Sequence, residues 1–587
     1  MLKRFFISML GTMAGLWISL FLLFFAGMIA VGVAIGKSTD NSVGLEKHTA
    51  LYFDLSGEIT ERNQPANFMQ MIQRAENKAP TLEDMLRALK AASEDNRIEG
   101  LYINCAGGAM GMAAREELID AIMDFKMSGK WVYAYSDNYG EGDYVIATTA
   151  DCIALNPVGS IDIHGLGGMS PFFKGLLDKL GVKMQIIKVG TYKSAVEPYI
   201  LTSMSQPAKE QMQQYIDSIW GYLVNTMAYN RQISSDTIRA MASQMISTRE
   251  APTFIADGLA DTLVYKRESD NILRDYLGLE EKQDLRLITP IEYLTAKELT
   301  KFNSERKHIA VLYAIGEISD SGKEGIVGPD MVNQIVALAD DDNVRGMVLR
   351  VNSPGGSAFA SEQIWESLEY FKSKDKPLYI SMGDYAASGG YYISCGGDSI
   401  FADQTTITGS IGVFGMIPDF SGLVTDKLGV TFTTVETNPN AVGISGFEPM
   451  SPAQQAAMQQ SVDNIYELFT RRVAEGRGLE QDYVKSIAEG RVWVGTDALR
   501  LGLVNAIGTL DDAVYAMGME TDLDPDNVVR YPKTDDNIWE QIIRQSGGLD
   551  QLKAAGYDAE TLRYINAVRR LKTANPVQAR IEPVIFK

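Results

Sequence analysis

One hydroxyl stands out in the segment "MGDYAASGGYYIS" (Met382–Ser394). Ser388 lies among small residues, just ahead of two glycines, between a pattern typical of a strand and one typical of a helix. A serine at such a junction is either a helix N-cap or a nucleophile that a peptide backbone can approach. Both readings of Ser388 stay open on this segment alone.

A second segment, "NSPGGSA" (Asn352–Ala358), precedes Ser388 by one predicted helix and one predicted strand. A glycine turn that follows a strand can present backbone N–H groups to an oxyanion, although such turns often have no catalytic role. With a nucleophile at Ser388, the predicted oxyanion donors are the N–H groups of Gly389 and of Gly356, with Gly355 as the alternative to Gly356. The pairing of the two segments favours the nucleophile.

The base that would activate this serine is not an obvious histidine. The chain has only His48, His164 and His308, and we expect His308, just before an apolar strand, at the surface or at a strand edge. A neutral lysine is the alternative base. A lysine pKa near 10.4 must fall by about three units, at roughly 4 kcal/mol, and burial among apolar groups can supply that shift.

The chain repeats itself over a long distance. "NRIEGLYINCAGG" (Asn96–Gly108) matches "NVRGMVLRVNSPGG" (Asn343–Gly356), an offset of 343 − 96 = 247 residues, and "LLDKLGVKM" (Leu176–Met184) matches "LVTDKLGVTF" (Leu423–Phe432) in the same order. Each copy alternates apolar strands with helical patterns, which predicts an α/β fold of βαβ units. The sequence therefore predicts a tandem duplication of one domain.

The two copies differ where chemistry is expected. Opposite Ser388 the first copy has Glu141, again 247 residues earlier. Conversely, Lys193 lies in "KVGTYKSAVEPYI" (Lys188–Ile200), where the second copy has "ETNPNAVG" (Glu436–Gly443) and no lysine. The sequence thus permits one composite site, with Ser388 from one copy and Lys193 from the other. Without the repeat, Lys193 would be interpreted as a surface lysine.

The N-terminus predicts a membrane anchor. Lys3 and Arg4 precede an uncharged run of 32 residues, Phe5–Gly36, which exceeds the length that spans a bilayer. The run is also longer than the apolar core of a cleaved signal, which is the alternative. By the positive-inside rule, Lys3 and Arg4 stay in the cytoplasm, and either reading places the bulk of the chain outside it.

Composition narrows the function classes. The net charge of −21 argues against a nucleic-acid partner. The three cysteines, Cys105, Cys152 and Cys395, form neither a disulfide framework nor a metal motif, so we expect no metal and no cofactor. Lys266–Pro290 is predicted to be a polar connector between the copies, and the tail is predicted to be helical. The predicted domains are an anchor (1–36), a first copy that supplies the lysine (37–290), a second copy that supplies the serine (291–532) and the tail (533–587).

In combination, "GTYKSAVEPY" in the first half with "SPGGS", "DYAASGGYYI" and "TGSIGVFG" in the second resembles the signal peptide peptidase A family, in its long membrane-anchored form. The resemblance implies a ClpP/crotonase-like fold and a serine–lysine dyad endopeptidase that degrades remnant signal peptides. It implies Ser388 as nucleophile, Lys193 as base and Ser410 as a hydroxyl that orients the lysine, although Ser410 would equally suit a turn cap.

The resemblance also implies a homo-tetramer at the bacterial inner membrane, with the catalytic bulk on the periplasmic side. Apolar peptides suit an extended groove with small P1-type and P3-type pockets. Two other hypotheses remain: a crotonase-like acyl-CoA enzyme, which an outward location disfavours, and an inactive membrane scaffold, which the intact Ser388 and Lys193 disfavour.

Overall fold

The computed structural model describes residues 45–62, 80–299, 304–532 and 577–580 of the 587. The predicted anchor lies outside the described residues, as does most of the predicted tail. Within the described ranges, every helix is too short or too polar to cross a bilayer.

The strands of the described residues are numbered in chain order, through the first copy, the second copy and the tail. They are β1 (Thr49–Leu55), β2 (Ile98–Cys105), β3 (Trp131–Tyr139), β4 (Cys152–Ile161), β5 (Lys183–Val189), β6 (Thr262–Leu263), β7 (Leu287–Ile288), β8 (His308–Ile315), β9 (Ile318–Ser319), β10 (Ile326–Val327), β11 (Val344–Ser353), β12 (Gly355–Ser357), β13 (Leu378–Ala387), β14 (Ser399–Ala402), β15 (Ile407–Gly409), β16 (Val413–Asp419), β17 (Val492–Val494), β18 (Ala506–Ile507), β19 (Val528–Tyr531) and β20 (Val577–Arg580).

The α-helices of the described residues lie between these strands. They are α1 (Leu82–Ser93), α2 (Met112–Met127), α3 (Glu141–Ala147), α4 (Lys174–Leu180), α5 (Glu197–Ile200), α6 (Gln206–Arg231), α7 (Ser235–Ala242), α8 (Ala251–Ala256), α9 (Lys266–Tyr276), α10 (Pro290–Ala296), α11 (Gly328–Asp340), α12 (Ala358–Lys372), α13 (Gly389–Ser394), α14 (Pro452–Arg477), α15 (Gln481–Ile487), α16 (Gly495–Arg500) and α17 (Leu510–Thr521).

The duplication is visible in the order of the strands. The first sheet runs β6-β4-β3-β2-β1-β7, and the second contains the equivalent path β18-β14-β13-β11-β8-β19, with parallel pairing along both paths. Each copy thus repeats one α/β sheet, as the sequence predicts.

Helices cover both faces of the second sheet. Strand β8 is apolar along nearly its whole length, so it needs apolar partners on each side. Its Leu312 packs with Ile364 of α12 on one face, and its Val311 packs with Met517 of α17 on the other. This packing buries both faces of the sheet whose strands end at the candidate site.

A third sheet joins the two copies. Its order is β10-β9-β12-β20-β16-β5, in which β5 of the first copy pairs antiparallel with β16 of the second, from Val189 opposite Val413 to Lys183 opposite Asp419. The pairing brings the end of β5, and with it Lys193, to the edge of the second copy.

Three local expectations need correction. The segment Lys266–Pro290 is not merely a connector, since it forms α9, which buries Leu273, and the edge strand β7. Four tail residues, Val577–Arg580, form a strand because β12 and β16 offer them ladder partners. His308 begins β8 as expected but is buried, with its ring nitrogens near the Arg306 carbonyl and the Tyr531 hydroxyl.

Candidate active site

Ser388 occupies the sharp connection between β13 and α13. Its backbone has φ 58° and ψ −116°, a conformation uncommon for a residue with a side chain. The Ser388 N–H donates to the Gly409 carbonyl at 2.8 Å, and its own carbonyl accepts from the Tyr392 N–H at 2.8 Å. Although Ser388 stands at the N-cap position, its hydroxyl makes no capping hydrogen bond. The hydroxyl is turned instead toward the first copy.

Lys193 meets this hydroxyl from the other half of the chain. Its Nζ donates to Ser388 Oγ at 2.7 Å, across 195 residues of sequence. The segment that carries Lys193 is anchored to the second copy by its neighbour, because the Tyr192 N–H donates to the Glu489 carbonyl at 2.9 Å. Both side chains are almost completely buried. The composite pair that the sequence permits is therefore formed within one chain.

Ser410 completes the surroundings of the lysine. Lys193 Nζ lies 3.0 Å from Ser410 Oγ and 3.1 Å from the Ser410 carbonyl oxygen. The Ser410 hydroxyl donates to the Gly490 carbonyl at 3.3 Å, which leaves its lone pairs for the amine. Its backbone sits in a turn, with φ 50° and an N–H bond to the Arg491 carbonyl. The turn and the contact with the lysine are thus compatible.

Two glycines that sequence reasoning missed make room for the lysine. Gly490 has φ 76°, and a Cβ there would lie 2.7 Å from Lys193 Cβ. A Cβ at Gly412 would lie 3.4 Å from Lys193 Cδ and 2.8 Å from the Cα of Gly490. In the sequence both glycines look like ordinary turn residues, so only the close approach of the lysine stem reveals their role.

The structure distinguishes between the two predicted oxyanion donors of the glycine turn, Gly355 and Gly356. Gly355 has φ 99°, and its N–H already donates to Ser353 Oγ at 3.1 Å. Gly356 packs so closely on β9 that a Cβ would lie 1.9 Å from the Ile318 carbonyl oxygen. Gly389 is the first residue of α13, so its N–H has no acceptor inside the helix. This geometry favours Gly356 with Gly389, and their role stays a prediction.

An apolar cavity of about 370 Å³ opens beside Lys193. Lys193 and Ser410 form part of its wall, and its other lining residues include Met212, Tyr215 and Tyr385. Such a wall suits apolar side chains rather than charged ones.

Comparison with known proteins decides the family. The sequence profile of Peptidase family S49 matches residues 124–279 and 370–524, once in each copy. The chain belongs to peptidase family S49. It is accordingly a serine peptidase, and the acyl-CoA enzyme and inactive scaffold hypotheses are set aside. The Clp protease profile also matches residues 318–405, which include Ser388.

Relatives of this S49 peptidase extend over most of the chain. Protease 4 of Haemophilus influenzae is 38% identical, over 84% of this chain and 82% of that protein. Protease 4 of Salmonella typhi is 35% identical over the same shares. A putative signal peptide peptidase SppA of Enterococcus faecium is 35% identical, over 40% of this chain and 70% of that protein.

The first S49 copy has carboxylates where the second has its site. Glu141, the counterpart of Ser388, accepts the backbone N–H groups of His164 at 2.8 Å and Gly165 at 2.7 Å. Asp143 accepts the N–H of Gly107, in the turn equivalent to the candidate oxyanion turn, at 2.8 Å. Burial raises the pKa of Asp143, and the hydrogen bond from the Gly107 N–H opposes this shift. In the first copy, the position equivalent to the candidate site is thus occupied by two carboxylates that bind backbone N–H groups of the same copy.

A buried ionic cluster, which the sequence analysis also missed, ties the first S49 copy to the strands that carry the serine. Arg350 of β11 is fully buried and meets Glu61 at 2.6 Å and Glu117 of α2 at 2.7 Å, both from the first copy. The Arg350 guanidinium also donates to Ser381 Oγ on β13 at 2.8 Å. Burial, opposed by Arg350, raises the pKa of Glu117, and burial with the neighbouring carboxylates raises that of Asp403. In the sequence, the signal of this cluster is Arg350, a charged residue inside the apolar run "RGMVLRV".

Proposed function

We propose that this S49 peptidase cleaves apolar peptides with Ser388 as the nucleophile and Lys193 as the general base. The observation that supports this most directly is the 2.7 Å contact from Lys193 Nζ to Ser388 Oγ, made between the two copies. A serine hydroxyl needs a base within hydrogen-bond reach, and this amine satisfies that geometry.

In the proposed mechanism, a neutral Lys193 takes the Ser388 proton as Oγ attacks the scissile carbonyl. Burial opposes the charged form of a lysine, which favours the neutral base. The hydroxyl of Ser410 holds Nζ in line with Oγ. The N–H groups of Gly356 and Gly389 stabilise the oxyanion, and Lys193 then passes the proton to the leaving amine.

The proposed substrates are remnants of signal peptides. The cavity beside Lys193, with its methionine and tyrosine wall, supports an apolar side chain in this position. One relative carries the name putative signal peptide peptidase SppA, which is consistent with this substrate class. An anchor at residues 5–36 would hold the enzyme at the bilayer where such peptides remain, with the peptidase copies on the periplasmic face of the bacterial inner membrane.

We propose further that the enzyme assembles as a closed homo-oligomer, a tetramer by resemblance. Strand β5 of the first copy pairs with β16 of the second, but their counterparts by the 247-residue offset, 430–436 and 166–172, form no strands among the described residues. The segment 430–436 exposes Val430, Phe432 and Val435. A neighbouring chain can pair one of these segments with the other, and such a head-to-tail contact generates a ring when the rotation between neighbours closes. Light scattering of Phe432→Asp should show smaller species than wild type; an unchanged mass contradicts this interface.

The mechanism is tested by the hydrolysis of an apolar reporter peptide in detergent. Ser388→Ala and Lys193→Met should each lower kcat by at least about a thousandfold, because each removes a member of the reacting pair. Lys183→Ala, an exposed lysine at the start of β5, is the matched control and should keep wild-type kcat. Rates for Lys193→Met equal to those of the control would exclude Lys193 as the base.

The pH profile gives a second readout. A base that acts as a neutral amine loses activity as the pH falls and the amine takes up a proton. We therefore expect log kcat to decline toward acid pH with a slope near one. A profile that stays flat down to about pH 5 would contradict a lysine base.

A further inference from the structure

The helix α6 carries a glutamine on its buried face. Gln211, Tyr215 and Ile219 follow one another at intervals of four residues, so they share one side of the helix. Tyr215 and Ile219 belong to the core of the first copy, and Gln211 beside them is only 6% exposed. A buried amide is costly unless its polar atoms are hydrogen-bonded. Its place in this apolar stripe therefore depends on its partners.

Both ends of the Gln211 amide have partners beside the proposed base. Nε2 donates to the Tyr192 carbonyl oxygen and to Ser194 Oγ, each at 3.0 Å, and these two residues flank Lys193. Oε1 accepts the N–H of Val492 on β17 at 3.3 Å. A carbonyl oxygen only accepts and an N–H only donates, so these partners define the orientation of the amide. One side chain thus links both neighbours of the lysine to a strand of the second copy.

The strand that Gln211 reaches is paired with the strand that leads into Ser410. Val492 of β17 lies opposite Gly409, the last residue of β15. The Ser410 N–H donates to the Arg491 carbonyl at 2.6 Å, directly before β17. A bond from Gln211 to Val492 therefore connects the lysine segment with the turn whose hydroxyl meets the lysine amine.

The copy without the lysine also lacks this glutamine. "MQQYIDSIW" (Met212–Trp220) of α6 matches "MQQSVDNIY" (Met458–Tyr466) of α14, an offset of 458 − 212 = 246 residues. At this offset the counterpart of Gln211 is Ala457, which is exposed. The glutamine and the lysine are thus present together in one copy and absent together from the other, which is expected if the glutamine serves the lysine.

We propose that Gln211 is a positioning residue that holds Lys193 Nζ at the Ser388 hydroxyl. The inference rests on the proposed serine–lysine mechanism. Gln211 acts through the residues on both sides of the base, because its own amide is engaged at both ends. The Tyr192 N–H keeps its bond to the Glu489 carbonyl without Gln211, so the lysine should be displaced rather than released. A displacement near 1 Å costs up to about a hundredfold in rate.

Hydrolysis of the apolar reporter peptide by Gln211→Met tests the proposal, because methionine keeps the length and removes the amide. Gln185→Met is the matched control: Gln185 of β5 also accepts an N–H of the second copy, that of Met450 at 2.8 Å. Each variant loses a hydrogen bond between the copies, so both should have a lower urea midpoint. Only Gln211→Met should lose kcat, by about 10- to 100-fold with KM unchanged, where both variants are folded. Equal kcat values for the two variants would show that the amide only joins the copies.

The reactivity of the serine gives a readout that does not depend on peptide binding, which is needed because Gln211 also lines the cavity. A small alkyl fluorophosphonate should label Ser388 more slowly in Gln211→Met, by about the same factor as kcat falls. Labelling at the wild-type rate with a lowered kcat would place the loss in the peptide groove and overturn the positioning role.

Lys193→Met, assayed in the same series, separates the two levels of inference. If Lys193→Met keeps wild-type kcat, the serine–lysine mechanism fails, and the role of Gln211 fails with it. If Lys193→Met is slow while Gln211→Met hydrolyses the peptide as fast as Gln185→Met, only the inference about Gln211 is wrong and the mechanism stands.

Discussion

Replacing Gly490 by alanine tests whether the place of the lysine stem controls catalysis. The new Cβ would lie 2.7 Å from Lys193 Cβ and 2.9 Å from its Cδ. Carbon atoms prefer separations of about 3.5 Å or more, so the lysine or its loop must move by roughly 0.8 Å. The left-handed backbone, with φ 76°, adds about 1–2 kcal/mol, and overpacking adds about 1–3 kcal/mol.

The added strain should lower the stability of the variant, and the displacement of the lysine should lower its kcat. The unfolding free energy of Gly490→Ala should fall by about 2–5 kcal/mol, seen as a lower urea midpoint. A displacement near 1 Å of a reacting group costs up to about a hundredfold, so kcat should fall by about 10- to 100-fold. Both are measured on the detergent-solubilised enzyme, with kcat taken where the variant is still folded.

Gly502→Ala is the matched control. Gly502 has the same φ of 76°, but a Cβ there meets its nearest neighbour, Leu479 Cδ2, at an ordinary 3.6 Å. It should lose only the backbone cost of about 1–2 kcal/mol and keep kcat within about twofold. If folded Gly490→Ala keeps kcat as well as Gly502→Ala does, the close packing of Gly490 on Lys193 has no part in positioning the base.

Three more predictions concern the surroundings of the pair. Ser410→Ala should lower kcat by about tenfold or more with KM unchanged, and Ser410→Thr should restore much of it; equal rates for both variants would exclude the hydroxyl as a positioning group. Burial raises the pKa of Glu117 to about 7 from its ordinary 4.5, so the stability that this group contributes is present below pH 4.5 and is lost by pH 7. Glu117→Gln should remove up to about 3 kcal/mol of that decline, and a urea midpoint difference from wild type that is constant over this range would contradict the shift. In a Ser388→Ala background, Glu141→Ser should not restore peptide hydrolysis, because the second copy has no lysine at the counterpart of Lys193; recovered activity would show that the first copy needs only a nucleophile.

Much of the fold could be read from the repeat. Compact apolar runs such as Arg345–Val351 predict buried parallel strands, and the equal strand order of the two sheets agrees with the duplication. Element boundaries were less accessible, since Lys266–Pro290 is polar on average but hides an amphipathic helix and an edge strand. Local composition does not report which single residues of a polar segment become buried.

The candidate pair, Ser388 and Lys193, is accessible from the sequence for a different reason. Each copy lacks the residue that the other has, and that comparison needs only the alignment of the chain with itself. The distance between them and the clearance at Gly490 were not accessible. They depend on how β5 docks on β16, and pairing between distant strands leaves no local trace in either segment.

By itself, the sequence determined the duplicated α/β plan, the asymmetry between the copies and the candidate residues for the chemistry. Residue types and periodicity specify these properties, because burial and the chemistry of each side chain are encoded position by position. Only the tertiary structure decided that Lys193 Nζ reaches Ser388 Oγ within one chain, that Ser410 faces the amine and that Ala579 lies opposite Gly356. Those relations arise from packing the two copies and the tail strand together, so each depends on residues that are far apart in the chain.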